Sequence, residues 1–186
     1  MSAAFPQKHL TDLDEWRRMG EAGIFSPESR LELIEGEILH MSPIGFNHAG
    51  HTRRLNSLFT LLTIDKAIVS VQNPVQLGDL SEPEPDLVLL HPENDFYTSR
   101  HPKAEDILLL IEVSDSTLNF DRSQKMRLYA AYKIPEYWIV NLLDNCLEVY
   151  RQPQDGNYLQ TMQLKGGDAI NLLSLPELQI QASTVL

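Results

Sequence analysis

The five residues Ile107-Leu-Leu-Leu-Ile111, followed at once by Glu112, constrain this chain more than any other stretch. The run is far short of the roughly 20 apolar residues that a membrane-spanning helix requires. It has no polar alternation, so it cannot offer one face to water. It reads instead as a strand buried on both faces, central in a sheet that helices cover. Asp86-Leu-Val-Leu-Leu90, after a proline-rich approach, reads the same way.

Helical periodicity frames these strands. Leu55, Leu58, Phe59 and Leu62 recur at i, i+3, i+4 and i+7, predicting an amphipathic helix from His48 to about Ile64. A second helix is expected from Asp121 to about Tyr132, with Met126, Tyr129, Ala130 and Lys133 on one stripe and Pro135 ending it. Ala67 to Leu77, Glu136 to Val140, Cys146 to Arg151 and Tyr158 to Leu164 carry strand composition, the last two joined at Asp155-Gly156. Nearer the start, Thr11 or Asp12 caps a helix over Leu10 to Gly20, and Arg30 to Met41 forms a hairpin turning at Glu35-Gly36. From His48 onward the order is helix, strand, strand, strand, helix, strand. This predicts an α/β or α+β fold with a mixed sheet, flanked by an N-terminal helix and hairpin and a C-terminal hairpin. With 186 residues and no repeat or linker, one domain over residues 1–186 is expected, its core at about 46–141.

Charge argues against a broadly basic protein, since 26 Asp and Glu against 15 Lys and Arg leave a net −11. A nucleic-acid-binding surface ordinarily carries positive charge, because neutralising phosphates releases counterions. Between Asp115 and Ile134 the balance reverses locally, with Arg122, Lys125, Arg127 and Lys133 against Asp115 and Asp121. The one cysteine, Cys146, precludes an internal disulfide and a cysteine-built zinc cage. Met1-Ser2-Ala3-Ala4-Phe5-Pro6 lacks the basic and apolar regions of a secretion signal, so a cytoplasmic protein without membrane association is expected.

Two carboxylates stand at strand ends: Asp86 opens one apolar strand and Glu112 closes the next. If those strands are neighbours, both acids meet at one end of the sheet, where like charges repel unless a cation sits between them. Mg²⁺ (or Mn²⁺) suits such a site, since it takes hard oxygen ligands and keeps open positions for water and phosphate. The backbone carbonyl of Val113 is a third candidate ligand. Lys125, on the helix after the Glu112 strand, is the candidate cation for orienting water and stabilising charge on a phosphate. Taken singly, each residue has an ordinary reading: a strand-entry aspartate, a solvated helix lysine. Glu112 is the exception, because a carboxylate ending an apolar run needs a partner.

The stretches Glu84-Pro-Asp86, Leu110-Ile-Glu-Val-Ser114, Asp121-Arg-Ser-Gln-Lys125, Tyr129 and Ile134-Pro-Glu-Tyr-Trp-Ile-Val140 together resemble the Uma2 family of endonuclease-like proteins. Glu32-Leu-Ile-Glu-Gly-Glu-Ile38 and His48 fit as well, so the resemblance covers nearly the whole chain. It implies the restriction-endonuclease-like αβββαβ core of the PD-(D/E)xK superfamily, with Asp86 and Glu112 as metal-binding acids. That superfamily's pattern places a lysine two residues after the second acid, where this chain has Ser114. The resemblance implies that Lys125 replaces it from the following helix. Glu32, His48 and Ser114 are secondary site candidates: an acid at the rim, an acid–base or phosphate-contact group, and a hydrogen-bonding group. Tyr129, Tyr137 and Trp138 read as core residues.

The function expected is metal-dependent hydrolysis of DNA phosphodiester bonds by a metal-activated water, in a homodimer by the symmetry habit of enzymes that cut two strands. The alternative is a nuclease-fold binding or assembly module with little catalysis, which the acidic charge favours. A metal-free hydrolase using paired carboxylates, as in glycosidases, ranks last because no sugar groove is indicated.

Overall fold

The computed structural model describes residues 6–26 and 28–186. The chain folds as two compact units, one of residues Met1–Pro43 with Gln76–Pro83 and one of Ile44–Val75 with Glu84–Leu186.

In the first unit, helix α1 (Leu13–Glu21) starts at Asp12 rather than Thr11. The Asp12 carboxylate accepts from the Glu15 backbone N–H at 2.8 Å, and Glu15 accepts from the Asp12 N–H at 3.4 Å, a reciprocal capping box. Strands β1 (Leu31–Ile34) and β2 (Glu37–His40) form the expected hairpin, with Leu33 opposite Ile38. Its turn residues Glu35 and Gly36 both have positive φ, 51° and 80°, as a tight two-residue turn requires. Glycine is needed at 36 for a second reason: a Cβ there would lie 2.6 Å from the Cβ of Leu10. Residues 76–83 return to this unit, and buried Glu82 accepts from Trp16 Nε1 at 3.1 Å and Arg17 Nη2 at 2.8 Å.

In the second unit, a six-stranded mixed sheet runs in the order β3-β4-β5-β6-β7-β8. Helix α2 (Phe46–Leu62) precedes β3 (Ile68–Ser70), β4 (Leu87–Leu90) and the all-buried β5 (Ile107–Ser114). A helical crossover leads to β6 (Glu136–Asn141), which runs parallel to β5, while every other neighbouring pair is antiparallel. This is the αβββαβ order expected from the sequence, in an α+β fold. Strands β7 (Cys146–Gln154) and β8 (Asn157–Leu164) do not flank the core; they extend the same sheet. The expected strand over Ala67 to Leu77 shortens to three residues, because Gln72 turns the chain with φ 51° and Pro74 donates no ladder bond. Beyond β8, a short pair β9 (Ala169–Asn171) and β10 (Gln179–Gln181) and helix α5 (Ala182–Val185) add Ile170, Ile180 and Val185 to the core.

The crossover is not one regular helix. Helix α3 (Leu118–Phe120) passes into a π-helical turn over Asp121–Lys125 and then into α4 (Met126–Ala131). The Met126 N–H reaches back five residues to the Asp121 carbonyl, which accommodates one extra residue in the turn. Lys133, expected on the helical stripe, lies beyond the helix at φ 60°.

Pleating of β5 decides what each face carries. Leu109, Ile111 and Val113 enter the core that contains Leu55 and Phe59 of α2 with Trp138 and Val140 of β6. Glu112 and Ser114, in the alternate register, turn to the crossover helices, where both find hydrogen-bond partners.

Candidate active site

Asp86 and Glu112 meet because β4 and β5 are antiparallel neighbours, with Leu87 opposite Ile111. Both carboxylates are buried. Asp86 Oδ2 accepts from the Val113 backbone N–H at 2.8 Å and lies 3.0 Å from His48 Nε2, while Oδ1 accepts from Gln72 Nε2 at 3.1 Å. The Asp86 backbone N–H points at Glu112 Oε2, 3.4 Å away. Three segments therefore converge on the carboxylate that opens β4: the start of α2, the turn after β3 and the end of β5.

Lys125 joins them from the π-helical turn. Its side chain is only 2% exposed, and its Nζ donates to Glu112 Oε1 at 2.9 Å. Glu112 Oε1 also accepts from the Tyr129 hydroxyl at 2.8 Å. Lysine 125 is thus no solvated helix residue. It is delivered to the strand ends by the helix that leaves β5, from a position 13 residues later in sequence than Glu112. Ser114, where the superfamily pattern would place the lysine, instead donates to Asp121 Oδ2 at 2.6 Å, as does Thr117 Oγ1 at 2.7 Å. Burial raises the Asp121 carboxyl above its ordinary pKa, opposed by nearby Lys125 and these two hydroxyls and reinforced by the charge of Asp86.

The π-helical turn is clamped from its outer side. Arg122 Nε donates to Glu148 Oε2 of β7 at 2.9 Å and its Nη2 to Oε1 at 2.5 Å, a two-pronged pair. Burial works to raise the Glu148 carboxyl, but hydrogen bonds from Arg122, Tyr150 and Asn141 outweigh it and hold the pKa below the usual carboxylate range. Fixing Arg122 fixes the register of the turn that carries Lys125.

The expected site residues therefore divide. Asp86, Glu112, Lys125, Val113 and His48 come together, and Ser114 takes part at one remove through Asp121. Glu32, on β1 of the first unit, is buried. Tyr129, read from sequence as core, is indeed buried, yet its hydroxyl binds Glu112. Its signal was the four-residue spacing from Lys125, which puts both side chains on one helical face. Gln72 carried no signal, since its role depends on the left-handed turn after β3.

The donor set suits a hard divalent cation. Asp86 and Glu112 offer carboxylate oxygens, and strand geometry turns the Val113 carbonyl to the same side as its N–H, which is the Asp86 side. Among the described residues, no three His, Cys, Asp or Glu side chains are grouped so as to hold a metal ion. Two carboxylates and a carbonyl leave positions for water and phosphate, as Mg²⁺ usually requires.

A mixed sheet in the αβββαβ order defines a restriction-endonuclease-like fold. The chain belongs to the Uma2 family, described as "putative restriction endonuclease", whose profile matches residues 12–183. Among solved structures it is similar to a "putative nuclease belonging to DUF820" from Anabaena variabilis ATCC 29413, with a TM-score of 0.70 over 94% of this chain and 96% of that one. The two share 16% sequence identity, so this likeness carries the fold alone. No curated protein matches the chain. No helix among the described residues is long and apolar enough to cross a membrane.

Proposed function

We propose that this protein is a metal-dependent endonuclease that hydrolyses phosphodiester bonds in DNA, with Mg²⁺ or Mn²⁺ as its cofactor. The observation that carries this reading is the placement of the Lys125 ammonium 2.9 Å from Glu112, beside Asp86, inside a buried site on the nuclease-type sheet. Asp86, Glu112 and the Val113 carbonyl would hold the cation. When bound, the cation supplies positive charge against the phosphate and makes a neighbouring water more acidic. Val113 N–H, Gln72 and His48 fix the Asp86 carboxylate in one orientation, so little reorganisation is needed as the reaction proceeds. Lys125, held by Glu112, places a fixed cation where charge gathers on the phosphorus oxygens. One water is consumed per cut: its oxygen bonds to phosphorus, the bond to the leaving oxygen breaks, and that oxygen gains a proton. A homodimer would present two such sites to two strands.

The test is a DNA-cleavage assay in Mg²⁺, in Mn²⁺ and in EDTA, on the native protein and on Asp86→Ala, Glu112→Ala and Lys125→Ala. Cleavage should require the divalent cation and fall about 100-fold or more in each variant. Activity that survives all three substitutions would belong to a contaminant. The net charge of −11 favours a second reading, a nuclease-fold binding module. Strand binding without cleavage under any divalent cation would establish it.

A further inference from the structure

A cavity of about 430 Å³ along the outer edge of β3 is used by none of the chemistry above. Ligand pockets of that size are ordinary. Its lining is unusual for this chain: none of its twelve residues is Asp or Glu, although acids outnumber Lys and Arg by 26 to 15. Phe96, Tyr97, Arg100 and His101 form its outer wall, and Ser70 and Asn73 lie on the strand side. Asn73, in the groove's lining, is the chain neighbour of Gln72, whose side chain holds Asp86.

The wall is built at a cost. Phe96 and Tyr97 both adopt left-handed backbone, φ 53° and 59°, which bulky residues avoid. Several bonds hold this turn. Asp95 accepts from the Tyr97 N–H at 3.0 Å and Ser99 Oγ at 2.7 Å, and the Tyr97 hydroxyl donates to the His91 carbonyl at 2.9 Å. The Arg100 guanidinium lies over the Tyr97 ring at 5.0 Å and grips Asp106 at 2.5 and 3.0 Å. The result is a rigid loop that keeps the Phe96 side chain outside the core, the residue being 71% exposed. Beyond Phe96, a neighbouring cavity is lined by Asp65 and Glu93, which would repel a polyanion. A phosphate chain is thereby confined to the acid-free side.

We propose that this groove is a subsite for a single-stranded nucleic-acid segment flanking the scissile bond. One unpaired base stacks on Phe96, and the backbone passes His101 and Arg100. The proposal rests on the nuclease reading and adds the path of the strand to it. An aromatic face accepts any base, so the subsite favours unpaired over paired strand and confers little sequence preference.

The experiment uses a single-stranded oligonucleotide of about 12 nucleotides carrying 5-bromouracil at successive positions. It is irradiated with the full-length protein in EDTA, and the cross-linked peptides are mapped. Cross-links should fall at Phe96, Tyr97 or His101. Phe96→Asn, which suits the left-handed turn, should weaken binding of the unmodified strand about 5- to 150-fold. Cross-links confined to other segments, with unchanged affinity in Phe96→Asn and His101→Ala, would overturn the proposal while cleavage leaves the nuclease reading intact. Cross-links in the groove without cleavage under any divalent cation would remove the nuclease reading and, with it, a subsite beside a scissile bond, leaving only a strand-binding groove. A change in oligomeric state in Phe96→Asn, without loss of strand binding, would assign the groove to a protein partner and overturn the proposal.

Discussion

Replacing Lys125 by methionine keeps the length of the side chain and removes its charge from a buried pair. At 2.9 Å, two unit charges attract by about 6 kcal/mol at an effective dielectric of about 20. Most of that offsets the cost of bringing both groups out of water, so the full figure will not be seen on mutation. What remains in Lys125→Met is Glu112 without this cation in a site shut from solvent, and breaking a buried pair from one side costs about 3–5 kcal/mol. That is a large share of the 5–15 kcal/mol that holds an ordinary domain together. Removing both charges in Glu112→Gln/Lys125→Met should cost less than the sum of the single changes, with a coupling of about 1–3 kcal/mol. Urea unfolding in EDTA, followed by the fluorescence of buried Trp138, reads all four corners of the cycle. A Lys125→Met cost below about 1 kcal/mol, or a coupling near zero, would refute the pair as the link between helix and strand.

Two further perturbations probe the frame. Asp121 has a folded pKa raised above 3.8 by burial, so its contribution to stability is fully present below about pH 4 and is lost as pH rises through the folded value. Asp121→Asn should therefore gain stability relative to the native protein as pH rises above about 4, and parallel pH profiles of urea midpoint would contradict the assignment. Gly36→Ala should destabilise by more than Gly156→Ala: both glycines have positive φ, 80° and 74°, but only at 36 would the new Cβ collide with Leu10. The φ penalty alone is about 1 kcal/mol, so equal thermal shifts for the two variants would remove the close approach as the reason for glycine at 36.

Much of this protein was determined by local sequence. The apolar runs at Leu87 to Leu90 and Ile107 to Ile111 have to be central strands, since no half-exposed element tolerates them. The hairpin at Glu35-Gly36 and the helix cap at Asp12 were legible because a single turn or cap supplies their reason. The carboxylates Asp86 and Glu112 could be singled out because each ends a buried strand and so cannot be left unpartnered.

Tertiary structure decided what distance along the chain conceals. Lys125, an ordinary helix lysine if taken singly, was legible as a candidate from its place after the Glu112 strand, but its contact with Glu112 depends on a π-helical turn held by the Arg122–Glu148 pair. Tyr129 looks like core until its hydroxyl finds the same carboxylate. Gln72 reaches Asp86 only because the chain breaks from β3 into left-handed backbone, which also cuts an eleven-residue strand expectation to three residues. The β7–β8 hairpin joined the sheet, where pattern alone allowed it to stand apart, because register with β6 depends on pairing partners far along the chain. Burial of a charge can be read from the residues around it in sequence. The partner that offsets the burial is set by packing between elements, so the sequence could nominate Lys125 but only the fold sets it 2.9 Å from Glu112.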